Sequence, residues 1–153
     1  KANAFSMAPM IDVGILFIGI FITMIPALVL LKVHGTELGI DQPWQMFWVC
    51  GLLSSCLDNT PTYLVFLQTA ASLGAAEGIA TTVGTVTPLM LEAISAGAVF
   101  MGAMTYIGNA PNFMIKAIAE ESGIKMPGFF AYIGWAIVIL CPVFIIDTLV
   151  FYI

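Results

Sequence analysis

Leu57-Asp58-Asn59-Thr60-Pro61-Thr62-Tyr63 is the stretch that decides the fold. It places a carboxylate, an amide, two hydroxyls and a proline between two apolar runs, one from Pro43 to Leu57 and one continuing to Ala76. A single straight helix over 43–76 would measure about 51 Å at 1.5 Å per residue. The hydrocarbon core of a bilayer is about 30 Å thick, and each run alone is too short to cross it. The pattern predicts a re-entrant helical hairpin over 43–76 with its tip at 58–62.

The bilayer enters through composition. Hydrophobic residues make up 61% of the 153 and charged residues 8%. A soluble domain carries about 25% charged residues. The apolar runs are continuous rather than alternating, which favours helices over a barrel. The expected fold class is therefore all-α integral membrane, with spanning helices plus a re-entrant hairpin and a discontinuous helix. The net charge of −5 is no nucleic-acid signature. Cys50, Cys56 and Cys141 form no C-x-x-C pair and His34 is the lone histidine, so neither a zinc nor an iron–sulfur site is expected. No cofactor is expected beyond bound sodium, and no catalytic constellation: the chain reads as a non-enzyme.

Outward from the hairpin, residues 10–32 form an apolar run long enough to span. Trp44 and Trp48 read as interfacial anchors. Glu77 to Thr87 is a Gly- and Thr-rich connector. Residues 88–121 predict a broken helix with its break at 105–112, and 129–153 a last span. Asp12, Asp147 and Glu92 lie near the ends of runs and read as interfacial or structural. Ala98-x-x-x-Gly102 reads as helix packing.

The second break repeats the first. Asn109-Ala110-Pro111-Asn112-Phe113 has the order of Asn59-Thr60-Pro61-Thr62-Tyr63: amide, small residue, proline, small polar residue, aromatic. Proline ends a helix that reaches it but is tolerated in the first turn of the next. Each break thus leaves one half-helix ending and another beginning. Loose carbonyls attract cations and loose N–H groups attract anions. Irregular backbone at membrane depth persists only where it lines a cavity or is buried in protein, and paired discontinuous helices point to a transporter's binding site. The candidate ion- and substrate-binding residues are Asp58, Asn59, Thr60, Thr62, Thr105, Gly108, Asn109 and Asn112, with Asp58, Asn59 and Asn109 as sodium ligands. A carboxylate at mid-bilayer costs roughly 2.5–3.5 kcal/mol on insertion scales, so Asp58 needs a bound cation, a proton, or a partner elsewhere in the protein.

At Leu57–Thr62 and Tyr106–Asn112, and again at Ile15–Phe21, the sequence resembles the ion transporter superfamily of NhaD-type sodium/proton antiporters, arsenite permeases, and citrate or dicarboxylate carriers. The resemblance covers the whole chain as the last repeat only. It implies two inverted repeats whose hairpin tips and helix breaks meet at one midplane site. It also implies an elevator-like moving unit, a homodimer in a bacterial inner membrane, and an N-terminal repeat missing from this chain. Asp58 stands where dicarboxylate carriers have the serine of a Ser-Asn-Thr motif, and Gly108-Asn109-Ala110 replaces the second such motif. Those departures lean towards cation or proton chemistry.

The leading expectation is sodium/proton antiport with Asp58 as the exchanging carboxylate. The alternative is a sodium-coupled carrier of citrate or another small anion, held at the helix starts after Pro61 and Pro111. A third reading, of another class, is a non-transporting membrane anchor with continuous helices.

Overall fold

The computed structural model describes residues 8–153. Helix α1 (Ala8–His34) runs for 27 residues, about 40 Å at helical rise. The side chain of Asp12 lies outside the described residues. A 3₁₀ turn at Gly35–Leu38 leads to α2 (Pro43–Ser54), which Gln42 and Gln45 start with a capping box. The chain leaves the helix at 55–58 and resumes as α3 (Asn59–Ser72). It then doubles back. Asp41, just before α2, lines the same cavity as Ala70 and Leu73 near the end of α3, and Gly35 packs against Ser72. Residues 43–76 thus form a helical hairpin. The irregular turn expected at 58–62 falls at 55–58, because Pro61 sits in the first turn of α3, where it needs no N–H partner.

The connector holds an element that an all-α reading does not contain. Ile79–Thr81 (β1) and Gly84–Val86 (β2) pair antiparallel, with Thr81 facing Gly84 across a two-residue turn. β-branched residues favour the extended backbone. The Thr81 hydroxyl donates to Gly84 O at 2.6 Å and accepts from Val83 N at 3.3 Å, closing the turn.

Helix α4 (Pro88–Phe100) is capped by the Thr87 hydroxyl and ends in a 3₁₀ turn at Met101–Met104. It lies parallel to α2. Cys50 Sγ donates to Ile94 O, and Ser54 Oγ donates to Ala98 O, both 44 residues along the chain. Small residues permit the close approach: a Cβ on Gly97 would collide with Phe47 O, and one on Gly51 with the Met101 side chain. Met46, Phe47, Cys50, Ala93, Ile94 and Met101 between these helices are fully buried. The second irregular stretch covers 105–109, shorter than the expected 105–112, because α5 (Ala110–Glu121) takes Pro111 into its first turn.

Helix α6 (Phe129–Asp147) continues as a π-helical turn at Thr148–Tyr152. Together they give 24 mostly exposed residues, long and apolar enough to cross a membrane. Phe130, Trp135, Val138, Ile146 and Leu149 project outward, a contiguous apolar face of the kind that marks contact with lipid. The inner face packs Phe144 and Tyr152 on Phe47. The Trp48 indole N–H donates to Thr148 Oγ1 at 3.0 Å, tying α2 to the last helix.

Candidate ion and substrate site

The two breaks meet. Helices α2 and α4 run parallel and end side by side, so Ser54–Ser55 and Gly102–Thr105 converge. Gly108 occupies the junction. A Cβ built there would lie 2.7 Å from Gly102 O, 2.8 Å from Ser55 O and 2.9 Å from Ser54 O. The absence of a side chain leaves room for three carbonyl oxygens from two breaks to gather around one point. Asn59 approaches from the start of α3; a Cβ on Gly102 would collide with its Oδ1 and lie 3.2 Å from Gly108 O.

Crowded acceptors need a donor or a cation between them. Three side chains act as donors. Thr105 Oγ1 donates to Ser55 O. Asn112 Nδ2 donates to Gly102 O at 2.9 Å and to Thr105 O at 3.1 Å. The Ser54 hydroxyl lies 2.6 Å from Ala98 O and 2.8 Å from the Asn59 amide. A hydroxyl has one proton. With that proton on Ala98 O, the amide nitrogen of Asn59 faces inward, and its two N–H groups meet three acceptors, Ser54 Oγ at 2.8 Å, Ala98 O at 2.9 Å and Gly108 O at 3.0 Å. The amide group then does for these oxygens what a cation would do. Turned the other way, Asn59 adds a fourth oxygen to the cluster. The donor set is entirely neutral, hard oxygen, which suits an alkali or alkaline-earth cation and not a soft metal.

A cavity of about 350 Å³ opens beside the cluster, lined by Asn59, Thr60, Tyr63, Ser95, Ala98 and Val99. It lies at the N-terminal turn of α3, the positive end of that helix. Asn59 belongs to both cavity and cluster.

The remaining predicted residues stand elsewhere. Asp58 is the N-cap of α3, accepting from Thr60 N at 3.3 Å. It lines a separate cavity of about 200 Å³ with Met24, Leu53, Leu57, Pro61, Thr62 and Val65, on the α1 side. Thr62 is buried, its hydroxyl donating to Asp58 O at 3.0 Å. Asn109 precedes α5 in extended conformation, and its side chain makes no cap hydrogen bond.

The chain matches the family model CitMHS_2, described as "Putative citrate transport", over residues 1–152. It belongs to this family. No curated protein and no solved structure matches the chain. Transport is the activity that the CitMHS_2 description names, which agrees with a membrane protein whose polar groups gather at helix breaks. For this member of the family, the sequence patterns miss Ser54, Ser55, Gly102 and Ser95. Ser54-Ser55 stands just before Asp58 as the last polar pair of an apolar run, and that is the signal that could have found it. The Gly102 of the small-x-x-x-small spacing faces Asn59. Asp147, read as interfacial, is half-buried beside a cavity it shares with Glu92, and its Oδ2 has no hydrogen-bond partner among the described residues.

Proposed function

We propose that this chain forms the cation- and substrate-binding half of a sodium-coupled secondary transporter for citrate or a related carboxylate. The convergence of Ser54, Ser55 and Gly102 carbonyls on Gly108 carries the reading. Sodium would take its oxygens from this cluster and from Asn59, while the anion would occupy the 350 Å³ cavity at the start of α3. None of the residues lining that cavity is basic, so the N–H groups of the helix start and the bound cation are left to balance a carboxylate. The α2–α3 hairpin would enter the membrane without crossing it. By the resemblance, a second repeat would bring an opposing pair of breaks, and the assembly would be a homodimer.

Sodium/proton exchange is the second reading. Its support is Asp58, half-buried against the apolar side chains of Met24, Leu53, Leu57 and Val65. One preparation separates the two. The full-length protein in liposomes should take up labelled citrate when sodium is imposed outside, and the uptake should collapse without sodium. Sodium-evoked proton movement without citrate uptake, read by an internal pH dye, would instead select exchange. Failure of both removes the transport proposal.

A further inference from the structure

We propose that Thr105 is a positioning residue that holds the two helix breaks in register, and not a ligand to the ion; the inference rests on the cation reading above. A threonine hydroxyl has one proton and two lone pairs. The proton goes to Ser55 O. The lone pairs accept Ile107 N at 3.2 Å and Gly108 N at 2.9 Å. All three capacities are filled within the protein, so none is left for an ion. The side chain is also buried, with Thr105 only 6% exposed.

Each partner matters to the site. Ser55 O is one of the three oxygens around Gly108, and Ser55 belongs to the first break. Ile107 and Gly108 belong to the second. One hydroxyl therefore sets where a carbonyl of the hairpin stands relative to the glycine that leaves room for the ion. The backbone of Thr105 extends the connection: its carbonyl accepts from Asn112 Nδ2, in the first turn of α5. A cation site built from carbonyls of two separate breaks has the right spacing only while the breaks keep their register. Losing a group that orients ligands without touching the metal typically costs about ten- to a hundredfold in affinity.

Thr105→Val keeps the shape and removes the proton and both lone pairs. In the full-length protein, half-saturating sodium is read from melting temperature against sodium concentration and from sodium-dependent citrate uptake. Thr105→Val should raise it by about ten- to a hundredfold, with the maximal rate at saturating sodium retained. Thr105→Ser restores the hydroxyl and should stay within about threefold of the wild type. Where the valine variant does not fold, Thr105→Ala takes its place in the same comparison. Wild-type half-saturation in the variant lacking the hydroxyl overturns the inference. So does a serine variant as impaired as valine, or a lower melting temperature without sodium and an unchanged sodium midpoint. If Gly108→Ala abolishes the sodium response while Thr105→Val leaves it intact, the cation reading stands and only the role of Thr105 falls. A wild-type protein that ignores sodium removes both.

Discussion

Gly108→Ala tests the oxygen cluster most directly. Gly108 does not have a positive φ, so alanine meets no backbone penalty there and the effect is one of space. Its methyl carbon would lie 2.7, 2.8 and 2.9 Å from the carbonyl oxygens of Gly102, Ser55 and Ser54. Ordinary carbon–oxygen contacts begin several tenths of an ångström farther out, so three backbone groups must give way at once. Overpacking of this kind typically costs about 1–3 kcal/mol. The methyl also fills the space between these oxygens. Were all of that cost to fall on the sodium-bound state, the affinity would drop by about five- to 150-fold, since each 1.4 kcal/mol is a factor of ten. The assay is melting temperature against sodium concentration, with citrate uptake alongside. Gly134→Ala is the matched control: it lies in α6, where an added Cβ meets nothing within 4 Å, and alanine there should be neutral or stabilising by about 0.5–1 kcal/mol. The reasoning fails if Gly108→Ala keeps the wild-type sodium midpoint and melting temperature, because the oxygens would then not converge on that point.

Asn59→Asp removes the amide donors that face Ala98 O and Gly108 O. The ion-free protein should lose about 1–3 kcal/mol while sodium binds more tightly, so the melting-temperature gap between sodium-loaded and sodium-free protein should widen; an unchanged gap refutes the inward-facing amide. For Asp58→Asn, asparagine is as good an N-cap as aspartate, so α3 should persist by circular dichroism. Sodium-driven citrate uptake should then survive, whereas loss of sodium-evoked proton movement on this substitution would put the exchange at Asp58. Trp48→Phe deletes the indole N–H bonded to Thr148. Chemical denaturation should show a loss of about 1 kcal/mol with the sodium midpoint unchanged, and a shifted midpoint would contradict the separation of this contact from the site.

The breaks themselves were legible because proline, amide and small polar residues inside long apolar runs allow few other structures. Their limits were not. Proline marks the first turn of the helix that follows it, so the irregular backbone lies upstream, at 55–58 and 105–109. That offset brings Ser54, Ser55 and Gly102 into the oxygen cluster, while Asp58 and Thr62 line the cavity on the α1 side. Carbonyl ligands have no residue signature at all; only the small residues that let them approach do. Asp58 is conspicuous as a charge in an apolar run, but nothing in that pattern marks it as the cap of α3. The β-ribbon was hidden because three-residue strands are too short for alternation to register.

Why one cluster could serve both a cation and an anion follows from the polarity of the break. The ending helix contributes oxygens and the beginning helix contributes N–H groups. In this fold the ends of α2 and α4 lie side by side, so their carbonyls gather between the breaks, whereas the start of α3 faces the open cavity. Asn59 stands at the boundary, with its amide against the carbonyls and its residue lining the cavity. In the carrier reading the two charges would sit on either side of one residue. With that residue between them, opposite unit charges about 7 Å apart attract by about 2.4 kcal/mol at an effective dielectric of 20, roughly fiftyfold in affinity. The cation would also release the Asn59 amide from its inward bonds. Such coupling would need no long-range relay: the anion would bind weakly until the cation had both supplied charge and turned the side chain they share. A sodium midpoint that does not move with citrate concentration would contradict this, because linkage between the two ligands must be reciprocal.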